Sequence, residues 1–108
     1  MNKRRSATAE QLYRHDARLS VRSAGLRSEA RRRVSEQDLE WADVAFVMER
    51  EHKATLRTRF SHLELPPIDV LDIPDDFEFM DPGLQEMLRL TLEPELVVLI
   101  DAREDGDY

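Results

Sequence analysis

Lys3, Arg4 and Arg5 stand in a row immediately before Ser6 and a helix-favouring stretch, and here residue type and spacing first suggest chemistry. A guanidinium offers parallel N–H donors in a rigid fork that matches a phosphate or carboxylate. A helix start adds unpaired N–H groups and a partial positive charge. A basic run near a chain start is also what an ordinary solvated segment looks like, so these residues alone leave both readings open. His15, His52 and His62 are too dispersed for a metal constellation, and no metal or cofactor is expected. Cysteine is absent from all 108 residues. That excludes a disulfide framework, a thiolate metal site and a cysteine nucleophile within them.

The charge that surrounds the basic run is uneven. Residues 1–40 carry ten Lys and Arg against six acids, a balance of +4 in a chain of net charge -7, so the remainder carries -11. A small anion suits that asymmetry better than a nucleic acid, because the acidic remainder repels a long polyanion. The expected partner is a phosphate group, with neither nucleic acid nor membrane. No apolar run approaches the roughly 20 residues of a membrane-spanning helix, and the first residues lead into a polar stretch, not a signal-peptide core. A cytoplasmic location is the default.

The elements that must position these residues follow from periodicity. Ser6, placed as an N-cap, opens a helix to about Asp16 with Leu12 and Tyr13 as its apolar stripe. Leu19 to Ala24 alternates and stops at Gly25, which predicts a short strand; the basic stretch to Arg33 reads as an exposed loop. Ser35, three residues before Asp38, opens a short helix to Ala42. Val44 to Met48 is continuously apolar, as in a strand buried on both faces. A polar helix runs from Glu49 to about Phe60, with Glu49 and Lys53 spaced for an ion pair. Pro66-Pro67 breaks the chain before a strand over Ile68 to Ile73. Asp81 caps a last helix with Pro82 in its first turn and a core stripe of Leu84, Met87 and Leu88. Pro94 kinks or ends it, Val97 to Ile100 is either a helical extension or a strand, and 101–108 is an acidic frayed tail. Trp41 and Phe46 read as packing residues.

Alternating helices and strands imply βαβ crossovers and a parallel sheet covered on both faces, hence one α/β domain over 1–100. Such sheets normally begin with a strand feeding a phosphate-binding turn. This chain begins with a helix, so a preceding strand is expected.

Asn2-Lys3-Arg4-Arg5-Ser6-Ala7-Thr8-Ala9-Glu10 resembles the second half of the phosphate-binding loop of low-molecular-weight protein tyrosine phosphatases, which reads Cys, five residues, Arg, Ser. Three later blocks are similar to the compact bacterial members of that family: Val21 to Gly25; Arg31 to Ser35 with Glu40-Trp41-Ala42-Asp43 and Phe46-Val47-Met48-Glu49; and Leu71 to Pro82. The resemblance covers residues 2 to about 92 in the family's order. It implies a phosphatase I-like three-layer sandwich with a small parallel sheet, and tyrosine-phosphate hydrolysis through a phosphocysteine. By the family's spacing the cysteine falls two residues before Met1, together with the first, inner strand. Ala7 also replaces the usual proline.

The resemblance assigns phosphate binding to Asn2, Lys3, Arg4, Arg5 and Ser6, with Arg5 as the fork on two equatorial oxygens and Ser6 as the orienting hydroxyl. The general acid should lie in the loop after the last strand; Asp75, then Asp76, are the candidates, and both are equally readable as turn residues. Phe77 and Phe79 are candidate walls for a substrate ring. Lacking its nucleophile, this chain is expected not to turn over substrate. Either the true start lies upstream and supplies Cys-Ser, the preferred explanation, or this is a degenerate, non-catalytic phosphate or phosphoprotein binder. Loss of an inner strand is also expected to open a gap between Leu19–Ala24 and Val44–Met48, with self-association through the open sheet.

Overall fold

The computed structural model describes residues 3–26 and 32–105. Its elements are α1 (Lys3–Tyr13), α2 (Glu36–Trp41), β1 (Ala45–Val47), α3 (Arg50–Arg59), β2 (Ile68–Val70) and α4 (Pro82–Asp105). β1 and β2 pair in parallel with Phe46 opposite Asp69, and α3 is the crossover between them. No described helix is long and apolar enough to cross a membrane.

Helices cover both faces of this small sheet. Met48, Leu71, Ile73, Leu84, Leu88 and Leu92 form one core, joined by Phe46 and by Ala9, Leu12 and Tyr13 of α1. Leu39, Val47, Leu56, Phe60 and Ile68 form the other, joined by Ala45 and Val70. Alternate residues of β1 therefore enter opposite cores, which is why its sequence is continuously apolar. The stripe of α4 behaves as expected, with Leu84 and Leu88 fully buried.

Local chemistry sets several boundaries. At α2 the Ser35 hydroxyl accepts from Asp38 N–H at 3.3 Å while the Asp38 carboxylate accepts from Ser35 N–H at 3.0 Å, a reciprocal cap. At α4 the Asp81 carboxylate accepts from Gly83 N–H at 2.7 Å. Pro94 lies inside α4 without ending it. The proline has no N–H to donate to the Leu90 carbonyl, and both residues are exposed, so the unpaired carbonyl is not sealed in the core.

Five expectations are corrected. Residues 19–24 form no strand, because no ladder partner lies alongside them among the described residues; only a Gly25–Arg33 bridge forms nearby. α1 begins at Lys3, so Ser6 lies inside its first turn and is not its cap. Glu49 turns toward Arg5 and not Lys53. Residues 97–105 continue α4, so the expected frayed tail is helical through Asp105, and 106–108 lie outside the described residues. Trp41 is 42% exposed and lies beneath the Arg22 guanidinium, 4.0 Å from the ring centre, a stacking partner more than a core residue. Most of the basic loop, 27–31, lies outside the described residues.

Candidate functional site

Parallel strands end on the same edge, so the residues that follow β1 and β2 come together there. Glu49 follows β1 and Ile73 to Asp75 follow β2. Between them the hydrogen bonding slips by one residue. Leu71 N–H donates to the Val47 carbonyl at 2.8 Å and Ile73 N–H to the next carbonyl, Met48, at 3.1 Å. Asp72 takes up the extra residue in the left-handed region, at φ 56°, as in a β-bulge. Aspartate tolerates that conformation better than most residues.

Arg5 enters this corner from the first turn of α1. Its side chain is fully buried, and its guanidinium donates to the Ile73 carbonyl and, at 2.7 Å, to Oε2 of Glu49. Its Nε lies 3.7 Å from Oδ1 of Asp75. One cation thus ties the helix start to the ends of both strands. The Arg5 hydrogen bond holds the Glu49 carboxyl below its ordinary range against the opposing effect of burial. For Asp75 burial opposes the charge most strongly, and nearby positive charges, Arg5 and Arg4 among them, outweigh it and keep its pKa low.

Thr8 anchors the same corner. Its buried hydroxyl donates to the Arg4 carbonyl at 2.6 Å and accepts from Met80 N–H at 3.0 Å, tying α1 to the segment that follows Asp75. Arg4 forms an exposed pair with Glu78 at 3.5 Å.

Of the sequence-predicted residues, Arg5 and Asp75 are brought together across 70 positions. Asp76 is exposed beside them. Asn2 lies outside the described residues, and Lys3, Arg4 and Ser6 are in a helical turn where a binding loop is expected. Phe77 packs against the core, whereas Phe79 is 54% exposed. Glu49 and the Ile73 carbonyl were not anticipated as partners of Arg5. A usable signal existed for Glu49, which is the first polar residue after an apolar strand and so falls on the edge where parallel sheets place their sites.

No family model, curated protein or solved structure matches this chain. Among the described residues no three His, Asp or Glu side chains gather as a metal site. An anion approaching Arg5 meets a guanidinium already engaged by carboxylates, so binding requires exchange of one acidic partner for another. Beside the corner a cavity of about 780 Å³ opens between β1, α1, α4 and residues 18–24, and Ser6 lies on its wall.

Proposed function

We propose that the Arg5–Asp75 corner is the arginine-and-acid half of a phosphomonoester site of the low-molecular-weight tyrosine phosphatase type, in a three-layer sandwich. The observation that carries the reading is the meeting of Arg5 with Asp75 at 3.7 Å, on the C-terminal edge of a parallel sheet and beside a helix start. Helices on both sheet faces agree with it.

In this reading an aryl phosphate displaces a carboxylate from Arg5, and the fork holds two of its oxygens. Asp75 is ionised in the unliganded state, since its pKa is lowered. A phosphate dianion bound at Arg5 brings a negative charge close to Asp75 and raises its pKa. A protonated Asp75 can then deliver its proton to a leaving phenolate. The thiolate that attacks phosphorus is not supplied by these 108 residues, which contain no cysteine. By itself the chain binds phosphate or a phosphotyrosine-type group and does not hydrolyse it. The second reading is a non-catalytic phosphate or phosphoprotein binder built on the same corner, in which Arg5 holds the phosphate and no bond is broken.

Calorimetric titration with inorganic phosphate and with phenyl phosphate tests binding. Saturable binding is expected, about tenfold or more weaker in Arg5→Lys, because an ammonium cannot reproduce the fork. Binding should tighten in Asp75→Asn, where a competing carboxylate is gone, and a spectrum matching the parent's shows that each variant remains folded. No binding at millimolar phosphate, or an Arg5→Lys variant that is folded and binds equally, overturns the site. Phenyl phosphate tighter than inorganic phosphate favours an aryl ester site, and equal affinity favours the simple phosphate binder.

A further inference from the structure

We propose that the outward face of α4 docks a basic amphipathic helix of a partner protein. The inference goes beyond the phosphate reading and does not rest on it.

α4 has two apolar faces. Leu84, Leu88 and Leu92 enter the core on one of them. Leu90, Pro94, Val97 and Val98 recur at i, i+4, i+7 and i+8 and therefore share the opposite one. Leu90 is 71% exposed, Val98 66% and Val97 53%, and Pro94 is exposed between them. Single exposed apolar residues are ordinary, but a row of them along about 12 Å of one helix marks a contact surface. Its spacing is that of the anchors by which one helix seats on another.

Charge selects the partner. Glu86 and Glu93 flank Leu90 one turn to either side, Asp101 follows Val97 and Val98 by one turn, and all three acids are exposed. Arg89, the one cation among the described side chains of this helix, reaches back to Gln85 at 3.5 Å. Pro94 has no N–H for the Leu90 carbonyl, so an acceptor without its helical partner also stands in the middle of the row. Apolar side chains bordered by acids and a spare acceptor match a helix that carries leucine-type residues in one stripe and lysines or arginines beside it.

The same charges disfavour other occupants. A second copy pairing through its own α4 sets acids against acids. Its α3 offers exposed Arg50, Arg57 and Arg59, but Ala54 is the only exposed apolar residue of that helix. An anionic membrane surface is repelled by the acids as well.

The test uses the unaltered 108-residue chain and a capped peptide of about 14 residues, built of alanine with leucines at helical spacing on one face and lysines beside them. One control replaces the lysines by glutamates. The other keeps the composition and reorders it so that the leucines no longer share a face. Calorimetry gives the affinities, and amide NMR shifts at Leu90, Val97 and Val98 report the place. The lysine helix is expected to bind saturably, with shifts centred on those residues, about tenfold or more tighter than either control. Leu90→Gln with Val97→Gln is expected to weaken it about tenfold. Glu93→Gln with Asp101→Asn is expected to weaken it about threefold, and more at low salt than at high. All four positions are exposed, so urea midpoints close to the parent's show that both variants stay folded. No binding, equal binding of either control, shifts centred elsewhere, or a folded Leu90→Gln, Val97→Gln variant that binds as the parent does overturns the proposal. A dimer of the unaltered chain that this variant dissociates overturns it in favour of a second copy. Pelleting with phosphatidylserine vesicles that the same variant abolishes overturns it in favour of a membrane.

Discussion

Replacing Arg5 with methionine keeps an unbranched apolar stem and removes the guanidinium that joins three segments. The magnitude follows from what each partner loses. The Ile73 carbonyl loses its buried donor, which costs about 1–3 kcal/mol. Glu49 loses a charge-assisted bond, but its side chain is 41% exposed and water recovers much of the loss, leaving about 1 kcal/mol. Asp75, at 3.7 Å and 35% exposed, adds about 0.5 kcal/mol or less. The expected destabilisation is about 3 kcal/mol, a large part of the roughly 5–15 kcal/mol that holds a domain together. In a domain of this size that lowers Tm by about 12–25 °C. Urea unfolding followed by circular dichroism should show a lower midpoint with unchanged slope. In a double-mutant cycle with Glu49→Gln the two losses should fall short of additivity by about 1 kcal/mol, because the pair is broken once. An Arg5→Met variant within about 0.5 kcal/mol of the parent, the range of ordinary surface substitutions, would refute the claim that this side chain staples the helix to the strand ends.

Three further outcomes can be checked in the same way. Glu49, Asp75 and Asp38 all have pKa values lowered in the folded chain, so their stabilisation is complete above the ordinary carboxylate range and is lost as pH falls through the folded-state values; a urea midpoint that does not fall between about pH 6 and pH 3 contradicts this. The Tyr13 hydroxyl is buried with no hydrogen-bond partner among the described residues, so Tyr13→Phe should leave thermal stability within about 0.5 kcal/mol or raise it slightly. Ser35→Ala removes the hydroxyl half of the α2 cap and should cost about 1 kcal/mol in urea unfolding, whereas Ser35→Asp should recover most of it, since aspartate also caps.

The elements differ in how far their own residues announce them. The α2 cap, the apolar run of β1, the proline break before β2 and the Asp81-Pro82 start of α4 all depend on neighbours within a few positions, and each was legible. The segment 19–24 has the alternation of a strand, yet alternation specifies only which faces are apolar; a strand also needs a partner for its backbone, and none is beside it. The start of α1 was displaced by three residues because Ser6 is an equally good residue inside a first turn. At Pro94 the local rule of helix breaking was overridden because the unpaired carbonyl is not sealed in the core.

The candidate site divides along the same line. Sequence by itself determined the residue types: an arginine at a helix start, acids after the last strand, and no cysteine anywhere in the 108 residues. Only the tertiary structure decided that Arg5 is buried against Glu49, 44 positions away, and the Ile73 carbonyl, 68 positions away, and that Asp75 rather than Asp76 stands beside it. The reason is physical. Caps and apolar periodicity are short-range and are written in adjacent residues, whereas the partner of a buried cation is set by which strand ends the parallel crossover brings to one edge.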